Sequence, residues 1–341
     1  MKNFRKICIP LVIIFFIPSF MFIRGDRNNF DIQLFNQISN SSPDFVFIGN
    51  SMLETRINDK HLEKISNKDV ILLTLPGGMS SAWYLYFKNF VVQTNIKPKN
   101  VFIFFRDYEL SKPLYRTTGE YSQKLDLLSY DEEQEFDFII DSNSGIGEKL
   151  SRIFDDIYPV QSKKNKARDL INRMAVTPFI PKIIPYTILR ISVGLNDEKY
   201  LPILRKYKDV QNSTNDLFDR KNFRSTEISE ISNISTKFEE NDSFLSALVN
   251  MSKNNDIELT FVRVQKRPNI DNSFNFDPNL QEYINQLSSY LRNKEINFID
   301  LSERSFGVEY YLDGDHINPE YIEEYTDFFY KEHINYFGGV D

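Results

Sequence analysis

In the segment Asp44-Phe45-Val46-Phe47-Ile48-Gly49-Asn50-Ser51, a short apolar run ends at a glycine and is followed by a serine. The run from 45 to 48 is rich in residues that favour β-structure, which predicts a buried strand. The glycine at its end predicts a turn. Ser51 is therefore expected at the carboxyl end of a strand, the edge at which open α/β sheets place their functional sites.

A polar segment near the end of the chain, Asp313-Gly314-Asp315-His316, offers the partners that a reactive serine requires. A serine hydroxyl is a weak nucleophile until a base removes its proton, and that base needs a third group to orient it. His316 is the predicted base, and it precedes Asn318-Pro319, a pair that opens a helix. His61 and His333 are predicted to lie outside the site, in helices with polar or charged neighbours.

Strand-like and helix-like patterns alternate along much of the chain. Strands are predicted at 45–48, 70–74, 101–105, 258–264 and 297–300. A short helix with a linker is predicted within 28–42, and helices that pack on the sheet at 81–93, 243–254, 280–291 and 321–336. This alternation predicts an α/β fold, a three-layer sandwich with a mostly parallel five-stranded sheet.

Three short motifs, taken together, resemble those of the SGNH, or GDSL-like, hydrolase and acyltransferase family. They are Gly49-Asn50-Ser51, Pro76-Gly77-Gly78-Met79-Ser80 and Asp313-Gly314-Asp315-His316. Each is weak alone, but their order and their places after predicted strands make the set fairly specific. The resemblance covers about 44–110 and 245–335 and implies the flavodoxin-like three-layer arrangement that the strand pattern also predicts.

The resemblance implies a catalytic triad. Ser51 would be the nucleophile and His316 the base. The family pattern places the orienting carboxylate three residues before the histidine, which assigns that role to Asp313. Asp315 is then expected to cap a helix or to be solvated.

The resemblance also implies an oxyanion hole, formed by the N–H of Ser51 and by that of a glycine in the second motif. Gly77 and Gly78 compete for this role, and Gly78 is preferred because Gly-Met-Ser resembles the usual Gly-small-Ser. In the third family block an asparagine normally adds its side chain, but here Arg106 stands in its place after a predicted strand. Its guanidinium could donate to the oxyanion or could pair with Asp107.

Composition argues against several other classes of function. The net charge of −7 disfavours nucleic acid as the main partner. No metal or cofactor is predicted, because the chain lacks a His-x-x-x-His motif, a cysteine pair, a calcium loop and a phosphate-binding glycine loop. Basic residues lie at the end of the fourth predicted strand and just after it, at Arg263, Lys266 and Arg267. A solvated turn is the favoured interpretation, and contact with an anionic polymer or carboxylate at the site mouth is the alternative.

The amino terminus predicts a location outside the cytoplasm. Lys2, Arg5 and Lys6 precede 7–23, a run of 17 residues without a charge. Bulky residues stand where a signal peptidase needs small ones, so we expect 1–27 to be an uncleaved membrane anchor. A cleaved signal peptide is the alternative.

The catalytic domain is then expected at 28–341, with an insertion at about 111–240. This stretch is too long for a plain loop, which predicts a mostly helical insertion near the site. A lid or glycan-binding cap and a structural or disordered spacer are given equal weight.

With its anchor and insertion, the chain resembles the cell-envelope branch of the family, such as alginate O-acetyltransferases and the teichoic-acid D-alanylation protein. That resemblance implies an esterase or O-acyltransferase acting on a cell-envelope or secreted polysaccharide, together with a membrane-bound acyl-transfer partner. The rival hypothesis is a non-catalytic SGNH-like envelope binding or assembly protein. The missing asparagine favours the rival, and the presence of Ser51, Asp313 and His316 counts against it.

Overall fold

A five-stranded parallel sheet lies at the centre of the computed structural model. Its strands are β1 (Phe45–Gly49), β2 (Val70–Thr74), β3 (Asn100–Phe105), β4 (Leu259–Arg263) and β5 (Asn297–Asp300). They are ordered β2-β1-β3-β4-β5, and every neighbouring pair is parallel. The predicted α/β fold with a parallel five-stranded sheet is confirmed. In this order the chain reverses direction across the sheet between β1 and β3, where such folds bind their ligands.

The structure describes residues 30–110, 115–117, 120–130, 133–143, 238, 240–268, 277–304 and 306–338. All of them belong to one compact unit, formed by Arg27–Gly145 and Arg224–Asp341. The predicted anchor at 1–27 and most of the predicted insertion lie outside the described residues. Within the described ranges, no helix is long and apolar enough to cross a membrane.

Both faces of the three central strands β1, β3 and β4 are buried, as the helical connections of a parallel sheet require. Successive side chains of a strand point to opposite faces. Phe45 and Phe47 of β1 therefore pack on one side, where the ring centroids of Phe47 and Phe102 lie 4.8 Å apart. Val46 and Ile48 face the opposite core. The strands thus contribute to two separate apolar layers, one on each face of the sheet.

Helices cover both sides of the sheet. In chain order they are α1 (Ile32–Ser39), α2 (Ser51–Glu54), α3 (Asp59–Ser66), α4 (Ser80–Leu85), α5 (Glu120–Asp126), α6 (Gln134–Asn143), α7 (Phe244–Asn254), α8 (Pro278–Asn293) and α9 (Ile322–Glu332). Helices α2, α3 and α9 contribute to the core on the Phe45 side, and α1, α4, α7 and α8 to the core on the Val46 side. This is the predicted three-layer arrangement. Helices α5 and α6 are the described helices of the predicted insertion.

One helix departs from the predicted regular form. The pattern predicts a single helix at 81–93, whereas α4 continues as a π-helix over Tyr86–Val92. Asn89 is buried within this segment, and its amide donates to the carbonyl of Leu128 and to Glu133. The segment therefore binds to the start of the insertion through a polar contact that hydrophobic periodicity does not record.

Candidate active site

A tight turn between β1, which ends at Gly49, and α2, which begins at Ser51, determines the position of Ser51. The side-chain oxygen of Asn50 accepts a hydrogen bond from Met52 N at 3.0 Å and so caps the short helix that Ser51 begins. A Cβ atom at Gly49 would lie only 2.7 Å from the Cβ of Leu53, so this turn requires a glycine. The serine therefore lies at the carboxyl end of β1, at the edge of the sheet that its motif predicts.

The structure brings Ser51, His316 and Asp313 together. His316 Nε2 lies 2.8 Å from Ser51 Oγ, and His316 Nδ1 lies 2.7 Å from Asp313 Oδ2. Asp313 Oδ1 also accepts hydrogen bonds from the backbone N–H groups of Asp315 and His316, each at 2.8 Å. Because the same carboxylate binds the ring and the backbone of the turn, it fixes both the position and the orientation of the imidazole.

The charge of Asp313 is maintained by its surroundings. Burial alone would raise the pKa of this carboxyl group. The hydrogen bonds from the ring and backbone of His316 act in the opposite direction, as do the charges of His316 and Arg56, and they hold the pKa of Asp313 below its usual value. Asp313 is therefore an ionised acceptor at neutral pH, which places the ring proton of His316 on Nδ1 and leaves Nε2 free to accept a proton from Ser51.

The predicted oxyanion donors lie near the hydrogen-bonded Ser51, His316 and Asp313 side chains. Ser51 N–H makes no hydrogen bond within the described part of the chain. Gly78 N–H donates to the carbonyl of Leu75 at 2.7 Å, and the carbonyl of Gly78 accepts from Asn50 Nδ2 at 3.2 Å. Gly77 has a φ of 71°, a conformation that favours glycine. The oxyanion role of Gly78 stays a prediction, and it requires that the bond to Leu75 be shared or broken.

Arg106 has a closer partner than the one considered from sequence. Its Nη1 atom binds the carboxylate of Asp315. Its Nε atom lies 3.8 Å from Asp107 and 3.9 Å from Glu109. Asp315 was expected to cap a helix or to be solvated, and in the structure it pairs with Arg106 instead. The guanidinium is thus near the His316 turn, and its role at the oxyanion stays a prediction.

Two buried polar residues of the site were not singled out from the sequence. Glu109 accepts hydrogen bonds from Asn50 Nδ2 at 3.3 Å and from Arg106 N at 2.8 Å. Burial raises the pKa of this carboxyl group, although the charge of Arg106 opposes the shift. Asn50, as the helix cap directly before the candidate nucleophile, had a local signal in the sequence. Glu109 had none, because only the fold brings it to Asn50.

Two basic residues at the end of β4 and just after it, Arg263 and Lys266, pair with carboxylates. Arg263 binds Asp300 at 3.1 Å, and Lys266 binds Asp107. Arg263 is buried, so the expected solvated turn is wrong at this position, because β4 ends inside the protein. The backbone N–H of Arg267 donates to the carbonyl of Gly314 at 2.9 Å, which joins this segment to the His316 turn.

The other two histidines make local contacts away from the serine. His61 Nε2 lies 2.7 Å from Asp327 Oδ1 on α9. His333 packs on the ring of Phe329 at a centroid distance of 5.0 Å, and burial lowers its pKa. Among the described residues, no group of His, Cys, Asp and Glu side chains could hold a metal ion. The side chains that the structure brings together at the site are a serine, a histidine and a carboxylate.

No protein-family model and no curated protein matches the chain. A GDSL-like lipase from Bacteroides thetaiotaomicron VPI-5482 aligns at 12% identity and a TM-score of 0.37, covering 91% of this chain and 98% of that one. An acetyl xylan esterase aligns at 11% identity and a TM-score of 0.36, covering 85% and 98%. At TM-scores this low neither alignment bears on the activity of this chain.

Proposed function

We propose that the chain is a serine esterase or O-acyltransferase of the SGNH type, which makes or breaks O-acyl ester bonds. One observation supports this above all others: Ser51 Oγ, the His316 ring and the Asp313 carboxylate form a continuous relay, with contacts of 2.8 and 2.7 Å. Nucleophile, base and orienter occupy the positions that acyl transfer requires. They come from opposite ends of the chain and meet at the carboxyl edge of the sheet.

In the first half of the reaction, Ser51 Oγ attacks the acyl carbonyl while His316 Nε2 takes its proton. The carbonyl electrons move onto oxygen, and the resulting oxyanion is stabilised by the N–H of Ser51 and, once released from Leu75, by that of Gly78. When the intermediate collapses, the ester C–O bond breaks and the leaving alcohol takes the proton from His316. Asp313 stabilises the imidazolium throughout. The product is an acyl group on Ser51.

In the second half, His316 deprotonates the acceptor as it attacks the acyl-enzyme. Water as acceptor makes the protein an esterase, and a sugar hydroxyl makes it an O-acyltransferase. The proton held by His316 then returns to Ser51 Oγ as the acyl group departs. The same residues serve both outcomes, and the choice depends on which acceptor the site admits.

The proposed substrate is an O-acylated cell-envelope or secreted polysaccharide outside the cytoplasm. The support is the charged amino terminus followed by the uncharged run 7–23, which we propose anchors the chain to the membrane with its body on the far side. A membrane-bound protein that supplies acyl groups would be the natural partner of a transferase in this position.

A fluorophosphonate probe tests the proposal, because it reacts with serines that are activated by a base. The full-length wild-type protein should be labelled, and Ser51→Ala should not be. Labelling of Ser51→Ala at the wild-type rate, or no labelling of folded wild-type protein, would refute the assignment. The second result would favour a non-catalytic binding protein. Esterase and transferase activity are then distinguished by measuring the cleavage of an acetyl ester with and without oligosaccharide acceptors. Release of free acetate indicates an esterase, and formation of acetylated sugar indicates a transferase.

A further inference from the structure

Arg56 is a fully buried cation close to the proposed triad. Its guanidinium contacts two backbone carbonyls, the thioether of Met52 at 4.0 Å and the ring of Tyr325 at 5.7 Å. None of these partners is a carboxylate, although buried charges are ordinarily paired. Burial accordingly lowers the pKa of the Arg56 guanidinium. A charge kept in such a place points to a role beyond packing.

The two carbonyls belong to the two parts of the proposed site. Arg56 Nη1 donates at 3.1 Å to the carbonyl of Met52, the residue after Ser51. Its Nη2 donates at 2.8 Å to the carbonyl of Gln265. Two residues further on, Arg267 N–H donates to the carbonyl of Gly314, between Asp313 and His316. A continuous path of hydrogen bonds and backbone therefore runs from the nucleophile to the turn that bears the base.

The polar surroundings of Arg56 are also sequestered from solvent. Tyr325 Oη donates to Gln265 Oε1 at 2.7 Å, which fixes the side chain of the residue that Arg56 binds. Arg56 Nε, Gln265 Nε2 and Tyr311 Oη are buried without a hydrogen-bond partner among the described residues. Tyr311 flanks the turn, since it pairs with Ile317 across an antiparallel bridge. The positive charge thus lies in a region sequestered from solvent, and it contributes to holding the pKa of the Asp313 carboxyl group below its usual value.

We propose that Arg56 is a positioning residue, which locks the Ser51 segment to the Asp313–His316 turn through the carbonyls of Met52 and Gln265. This role rests on the proposed function of the triad. The planar, forked guanidinium suits this positioning role, because its two donors reach two carbonyls at a fixed separation. A lysine keeps the charge but not the fork.

The kinetic test compares Arg56→Met and Arg56→Lys in the full-length chain, with the surface variant Arg304→Met as control. Arg304 pairs with Glu332 in a partly exposed contact away from the triad. We expect the rate of fluorophosphonate labelling per folded molecule to fall by about tenfold or more in Arg56→Met, because small displacements of reacting groups reduce rates strongly. Arg56→Lys should lose less, and Arg304→Met nothing. An unchanged labelling rate in folded Arg56→Met, or in folded Arg56→Lys if the first variant does not fold, would overturn the role.

A spectroscopic test separates this role from the proposed reaction. The proton between His316 Nδ1 and Asp313 is expected to give a far-downfield NMR resonance, and the loss of this resonance in His316→Gln would assign it among the three histidines of the chain. In Arg56→Met, and to a smaller extent in Arg56→Lys, this resonance should shift and broaden as the turn loosens. If the wild-type protein is not labelled but the resonance responds, the catalytic function fails and the positioning role stands. An unaffected resonance in a folded variant contradicts the positioning role directly.

Discussion

Arg106 binds the carboxylate of Asp315, the residue directly before His316. The carboxylate of Asp313 binds the same turn through the backbone N–H groups of Asp315 and His316. The turn that bears the proposed base is therefore held by these contacts together with the bond from Arg267 N–H to the carbonyl of Gly314. Arg106 follows β3 and Ser51 follows β1, and these strands are neighbours in the sheet. The Arg106–Asp315 pair thus connects the sheet edge to the base.

This relationship gives a test of Arg106. If its main role is to hold the turn, Arg106→Ala, Asp315→Ala and the double variant should all slow labelling of Ser51 by a similar factor, on the order of tenfold. The measurement is a double-mutant cycle of labelling rates with matched circular dichroism spectra. A loss on the order of 10²-fold in Arg106→Ala alone, with Asp315→Ala unaffected, would instead identify Arg106 as the donor to the oxyanion.

Ser51 and His316 should act as a unit. Ser51→Ala and His316→Gln are each expected to reduce ester turnover by at least about 10³-fold, and the double variant should be no worse, because either loss breaks the same proton relay. The matched control is His61→Gln. His61 also contacts an aspartate at 2.7 Å, but its other ring nitrogen lies 3.8 Å from the carboxylate of Glu323. Turnover that survives in His316→Gln, or is lost in His61→Gln, would contradict the assignment.

The fold was largely predictable because the sequence patterns that specify its strands and helices are local. Strands β1 to β5 are apolar runs bounded by turn signals, and the prediction of β2 and β5 agrees with the structure to the residue. Ser51 and His316 are 265 residues apart, yet their meeting was predictable, because both follow motifs that the fold brings to the same edge.

The residues that escaped prediction depend on contacts between distant segments. Arg56 stands in a polar stretch, where a charged side chain is ordinarily exposed. Its burial follows from packing against α9 and the segment after β4, which no local pattern records. The pairing of Arg106 with Asp315, 209 residues away, is of the same kind. Hydrophobic periodicity identifies which face of an element is buried, but not which polar groups are buried with it.

The glycine turn near Ser51 should be more sensitive than an ordinary turn. Gly77 and Gly338 both have positive φ, 71° and 78°, so alanine at either should cost about 1 kcal/mol in backbone strain. A Cβ atom at Gly77 would also meet the hydroxyl of Tyr121, whereas one at Gly338 meets no atom within 4 Å.

Gly77→Ala should therefore lower the free energy of unfolding more than Gly338→Ala, and should also slow labelling of Ser51, because Gly78 beside it would shift. Urea unfolding and labelling rates check both points. Equal destabilisation with unchanged labelling in both variants would show that the turn does not affect the site.

His333 should make the stability of the protein depend on pH. Burial lowers its pKa, and its Nε2 atom is buried without a hydrogen-bond partner among the described residues. The unfolded chain, in which this histidine titrates near its ordinary pKa of about 6.5, then binds protons more readily than the folded one. Well above a pH of about 6.5 the contribution of His333 to the free energy of unfolding is therefore constant. As the pH falls below about 6.5, toward the lower pKa of His333 in the folded state, this contribution declines.

The melting temperature should accordingly drop between about pH 7.5 and pH 5.5, a range that spans the ordinary histidine pKa. The drop should be smaller in His333→Gln, because glutamine takes up no proton. His61→Gln serves as the control, since it leaves His333 in place and should retain the drop that His333 causes. The carboxyl group of Asp313 does not interfere, because its pKa lies below its usual value and its contribution is lost only at more acidic pH. If His333→Gln and the wild-type protein lose the same number of degrees over this range, the buried imidazole is not the source of the pH dependence.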